Sequence, residues 1–69
     1  MSDIEFLQES ALRGLVEIIM TEHGASLAQA LETVRKSHAF ELLMDESTKL
    51  YRESPSYLYE LYLEDTQEG

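Results

Sequence analysis

Over its first twenty residues the chain carries apolar side chains at Ile4, Leu7, Ala11, Leu15, Ile18 and Ile19, three and four positions apart. That spacing predicts one helix over about 3–23 with a continuous apolar stripe. Phe6, Leu12, Val16 and Met20 widen the stripe, while Gln8, Arg13 and Glu17 are expected outside it. A stripe so wide has to be covered from two sides, so the remaining residues must supply at least two further packing elements. The chain has 69 residues and no cysteine. A chain of this size hides only about 60% of the surface its unfolded form exposes, and here no disulfide can make up the difference. Two solutions are physically sensible: a compact helical monomer, or an oligomer whose copies complete one another's core.

Local signals place the other elements. Ser2-Asp3 offers a cap for the first helix, with Asp3, Glu5 and Glu9 near its positive end. Gly14 sits inside that helix at a cost of about 1 kcal/mol against alanine, which points to the close approach of a neighbour or to a tolerated surface position. His23-Gly24 is a stop, glycine being the usual left-handed terminator. Ser26 with Gln29 three residues on forms a capping box, and Leu27, Ala30, Leu31 and Val34 define the buried face of a helix over about 26–37. Ser37-His38 is a break, followed by one or two apolar turns over 39–44. The polar run Asp45–Lys49 reads as a turn and Leu50-Tyr51 as loop. Ser54-Pro55 then opens a last helix over about 55–65, serine as cap and proline at the first helical position. The predicted fold is all-α: a single domain over 1–69, built as a compact bundle of three main helices plus a short extra one.

Fourteen acidic against five basic residues give a net charge of −9. Nucleic acid is a poor partner for such a chain, because lysine and arginine must replace phosphate counterions. Anionic membrane surfaces are disfavoured for the same reason. Four of the five basic residues, Arg35, Lys36, Lys49 and Arg52, fall in the middle, between two acidic thirds that an antiparallel fold can bring against them. No apolar run reaches the 18 or so residues of a membrane span, and no basic-then-apolar leader is seen. The cytoplasm of a bacterial cell is the expected location.

The residues that carry chemistry do not converge. The two histidines, His23 and His38, are fifteen residues apart, and neither has a ligand companion one turn away. A structural zinc site wants four ligands, usually with thiolates among them, so no metal or other cofactor is expected. No serine lies in a nucleophile elbow, no glycine loop cradles phosphate, and the adjacent acids Asp45-Glu46 and Glu64-Asp65 stand at apparent turns or ends. No catalytic residue is assigned, and an enzyme is not expected. The aromatic residues carry more information. All four tyrosines lie between Lys49 and Leu63. Tyr57, Leu58, Leu61 and Tyr62 recur at helical spacing and predict the packed face of the last helix; at 100° per residue Tyr59 and Leu63 lie on the side opposite Leu58, Leu61 and Tyr62. Tyrosine is favoured at interfaces because its ring buries area while its hydroxyl still finds a partner. Tyr51, Tyr57, Tyr59 and Leu63 are therefore the candidate partner-binding residues.

The order of these motifs resembles a known family. Gly24-Ala25-Ser26-Leu27-Ala28-Gln29-Ala30-Leu31, the segment 40–44, and Thr48-Lys49-Leu50-Tyr51-Arg52-Glu53-Ser54-Pro55-Ser56-Tyr57-Leu58-Tyr59 are similar to the bacterial domain-of-unknown-function family numbered three-seven-nine-one. The resemblance covers roughly residues 5–65 and is clearest in the last twenty. It implies no activity and defines no site residues. Genes of that family often stand beside one for a toxin-like domain similar to ADP-ribosyltransferases, so it implies an antitoxin-like or accessory role. Two functional expectations remain: an acidic module that binds another protein, a basic or toxin-like one, and an obligate homodimer with a structural role.

Overall fold

A computed structural model of the chain describes residues 3–67, and side chains as far as residue 65. The proposed cap at Ser2 lies outside the described residues. Helix α1 spans Asp3–His23, α2 Leu27–Arg35, α3 His38–Met44 and α4 Pro55–Gln67. Between α3 and α4 the chain makes two single 3-10 turns, Glu46–Thr48 and Leu50–Arg52, the second where a loop was expected. There is no strand among the described residues, and the fold is all-α.

Each helix places one large side chain at the centre: Leu15 from α1, Val34 from α2, Leu43 from α3 and Leu58 from α4. Full burial of each is worth about 1.5–3 kcal/mol. Ala11, Val16, Ile19, Ala30, Ala39 and Tyr62 complete the buried apolar set, so the core closes within one chain. Helices α2 and α4 lie against α1, and α3 is wedged among the other three.

The predicted helix ends have the expected chemistry. Gly24 adopts φ +64°. Ser26 Oγ accepts from the Gln29 amide at 3.2 Å, and Gln29 Oε1 accepts from the Ser26 amide at 3.0 Å. Ser37 Oγ accepts from the Phe40 amide and Ser54 Oγ from the Tyr57 amide, each at 3.2 Å. Asp45 caps the first 3-10 turn, accepting from the Ser47 amide at 2.9 Å and its hydroxyl at 2.7 Å. The hydroxyl bond first, then the amide bond, holds the Asp45 carboxyl below its usual pKa.

Several side chains stand elsewhere than the periodicity suggests. Gln8, expected outside, is buried, and its amide donates to the carbonyls of Leu43 at 3.2 Å and Met44 at 3.1 Å. Phe6 and Leu7, expected in the stripe, are 59% and 40% exposed. The cause is length. At 1.5 Å per residue α1 runs roughly 31 Å, against a longest molecular dimension of 32 Å. The short α2 cannot cover all of it. Leu27, at the first position of α2, is likewise 56% exposed. The ion pairs seen among the described residues are Lys36 with Glu32 at 3.0 Å and His38 with Glu41 at 3.2 Å. Both are exposed and local, and neither draws an acidic end onto the basic middle.

Gly14 faces the start of α4. A methyl group there would stand 2.7 Å from Pro55 Cγ. Alanine is the better helix former by about 1 kcal/mol, but the rigid proline ring has no easy retreat. Gly14→Ala is therefore expected to destabilise the fold by about 1–3 kcal/mol, against the propensity gain, in urea denaturation. Gln8→Leu keeps the volume but strips two carbonyls of their donor. A loss of about 1–3 kcal/mol is expected, with amide hydrogen exchange accelerating first in α3.

Candidate interaction face

Helix α4 has an inner and an outer side, each formed by different residues of one aromatic-rich segment. Its start is pinned by Ser54 and Pro55, with the proline ring against Gly14. On the inner side Leu58 and Tyr62 are buried. Tyr59 stacks on Tyr62, ring centroids 6.2 Å apart and planes inclined by 18°. Its hydroxyl lies 3.0 Å from His23 Nε2, which ties α4 to the last turn of α1. Farther along, Asp65 Oδ2 accepts from the Ala39 amide at 2.6 Å, bonding α4 to the first turn of α3.

The outer side holds a shallow open concavity lined by Tyr57, Leu61 and Leu63, with Glu60 and Glu64 beside them. Tyr57 is 42% exposed, and the two leucines are half-buried. Positions 57, 60, 61 and 64 recur at three- and four-residue steps, so they form one helical stripe. No lysine, arginine or histidine occurs in α4. The stripe is thus an apolar strip beside carboxylates with no cation on its own helix.

Of the four candidate residues, the structure brings Tyr57 and Leu63 together in this concavity. Tyr51, in the second 3-10 turn, and Tyr59 are half-buried against the core and do not line it. The exposure expected for Tyr59 and Leu63 is therefore only partial. Stacking on Tyr62 turns Tyr59 toward the interior, and Leu63 also packs on the core. Tyr57 and Leu61 were expected on the packed side of α4: Leu61 does pack on the core but also lines this concavity, and Tyr57, at the open start of the helix, is exposed. Glu60 and Glu64 were not singled out from sequence, although the 57-60-61-64 spacing marks them. A second, separate trough lies between α1 and α2.

No group of three histidine, aspartate or glutamate side chains among the described residues is placed to hold a metal ion. No described helix is long and apolar enough to cross a membrane. Among the described residues no buried side-chain polar atom lacks a partner. What the α4 surface offers chemically is recognition: apolar area, a phenol and two carboxylates. No protein family, curated protein or solved structure matches the chain.

Burial, and secondarily the neighbouring Tyr59, push the Tyr62 phenol above its ordinary pKa. Tyr62 therefore ionises at higher pH in the folded chain than in the unfolded one. Its contribution is complete below the unfolded value of about 10 and is lost as pH rises through the folded value. Melting temperatures followed upward from neutral pH should fall above roughly pH 10, and Tyr62→Phe should flatten that fall. An unchanged alkaline slope in the variant would assign the loss to other groups.

Proposed function

We propose that this chain is a small, acidic, non-catalytic interaction module that binds a basic partner protein through the outer face of α4. The observation that carries this reading is the single-signed stripe, in which Tyr57, Leu61 and Leu63 sit beside Glu60 and Glu64 on a helix devoid of cations. Tyrosine in such a setting supplies rigid contact area and can stack on an arginine of the partner. The carboxylates select a cationic segment, speed its encounter and reject acidic competitors. The net charge of −9 extends the same preference over the whole molecule and weighs against nucleic acid and anionic membranes.

The resemblance of residues 5–65 to the family numbered three-seven-nine-one supports an antitoxin-like or accessory role in a bacterial cytoplasm. The partner is then a toxin-like protein with a basic surface. An acidic helix laid over a basic nucleotide-binding cleft blocks it without any chemistry of its own, which is consistent with a chain lacking a recognisable catalytic constellation.

The test uses tagged chain to capture protein from a bacterial lysate at low salt, beside a Tyr57→Ala/Glu60→Lys variant. Both substituted residues are exposed, so the variant should keep its helical circular dichroism. One basic protein should be held by the wild type, released as salt rises, and lost from the variant. Identical captured proteins from both forms would place binding elsewhere. A partner equally retained at high salt would remove the electrostatic basis of the reading.

A further inference from the structure

The trough between α1 and α2 shares no residue with the α4 concavity. It encloses about 570 Å³, floored by the buried Val16 and walled by Leu12 and Met20 of α1 and Leu27 and Leu31 of α2. Leu27 is 56% exposed. Along the α1 rim stand Glu9, Arg13 and Glu17, all exposed and four residues apart. Each step is about 6 Å along the helix, within reach of an ion pair. Yet the ion pairs seen among the described residues include none of the three. The rim thus presents negative, positive and negative charge in turn beside an apolar floor.

We infer that this trough is a docking groove for an amphipathic helix of another protein, one with basic, acidic and basic side chains on successive turns beside its apolar face. The floor selects a helix over an extended segment. A strand lying there would bury amide and carbonyl groups, and no strand edge exists among the described residues to pair them. A helix satisfies its own backbone and brings only side chains to the floor. The repeat of the rim selects the spacing, since a helix running along α1 meets it at every fourth residue. The sign of each charge selects the pattern. A uniformly basic helix sets a cation on Arg13, and a uniformly acidic one sets carboxylates on Glu9 and Glu17. A second copy of this chain is also disfavoured: its row, reversed about Arg13, puts like on like, and both molecules carry −9. A row of opposite pattern meets attraction at all three positions. The leucines supply the affinity, and the rim chooses the partner.

This surface is independent of the α4 reading. The α4 stripe asks for cations alone, whereas this rim asks for alternating signs.

The test titrates fluorescein-labelled, stapled helical peptides of about eighteen residues, roughly five turns, into the full chain and follows their anisotropy. Three peptides share one leucine face and one net charge, balanced on the side away from the trough. They differ at the rim positions, which read Lys-Glu-Lys, Glu-Lys-Glu or Lys-Lys-Lys. The Lys-Glu-Lys peptide should bind roughly tenfold or more tighter than either of the others. Arg13→Glu should transfer the preference to Lys-Lys-Lys, and Leu27→Glu should weaken binding roughly tenfold. Both positions are exposed, and helical circular dichroism checks the fold of each variant. Tyr57→Ala/Glu60→Lys should bind as the wild type does. Absence of binding by the Lys-Glu-Lys peptide, equal binding of the three peptides, or loss of binding in the α4 variant overturns the inference. So does a dimer of the chain alone in sedimentation equilibrium that Leu27→Glu dissolves, which gives the trough to a second copy. None of these results counts against capture of a basic protein by α4.

Discussion

The fold depends on how α3 is held. Seven residues make too short a helix to persist alone, since nucleation is costly and most of the peptide groups lack an internal partner. Yet Leu43, Ala39 and the half-buried Phe40 are needed in the core. The solution is to satisfy both ends of α3 from outside. At its start the Phe40 amide goes to Ser37, and the Ala39 amide to Asp65 of α4. At its end the Leu43 and Met44 carbonyls accept from Gln8 of α1. Those of Glu41 and Leu42 accept from the Asp45 amide, and Leu42 also from the Thr48 hydroxyl. A short helix with its ends paid for in this way behaves as a rivet between the beginning and the end of the chain. It braces the direct packing of α4 on α1 and so helps to fix which side of α4 is left outside.

That arrangement also explains which parts of the structure were legible in advance. Capping is local: Gly24, the Ser26–Gln29 box and Ser54-Pro55 each act within four residues, and each could be read directly, whereas Ser37 reads only as part of a break and its cap on α3 comes from the structure. The rivet is not local. Gln8 meets carbonyls 35 and 36 residues away, and Asp65 meets an amide 26 residues away. A glutamine beside an apolar stripe reads as surface until the orphan carbonyls opposite it are known. Gly14 shows the boundary between the two cases. Close approach was readable from a glycine inside a strong helix, but its neighbour, the Pro55 ring, was not. Lys49 lay wholly beyond reach. It takes the left-handed conformation at φ 57°, between the two 3-10 turns, where composition suggested only a turn and a loop.

The candidate site was half legible for a related reason. Helical spacing alone separates an inner from an outer side; it puts Tyr59 and Leu63 outside and Tyr57 and Leu61 inside, and of these only Leu63 lines the concavity as that spacing expects. It could not anticipate that Tyr59 would stack on Tyr62 and bond to His23, a contact that joins the end of α1 to α4 across 36 residues. Nor did Glu60 and Glu64 stand out in a chain with fourteen acidic residues, where any one carboxylate reads as solvation. They acquire meaning only beside Tyr57 and Leu61, on a helix that carries no opposite charge.

The acidic excess bears on the same surface. Internal ion pairs leave a net charge unchanged, so the full −9 stands as an outward field around the molecule. On α4 that field is not offset locally, because no cation on the helix stands beside Glu60 and Glu64. The bonds that hold α3 to both α1 and α4 keep that stripe on the outside.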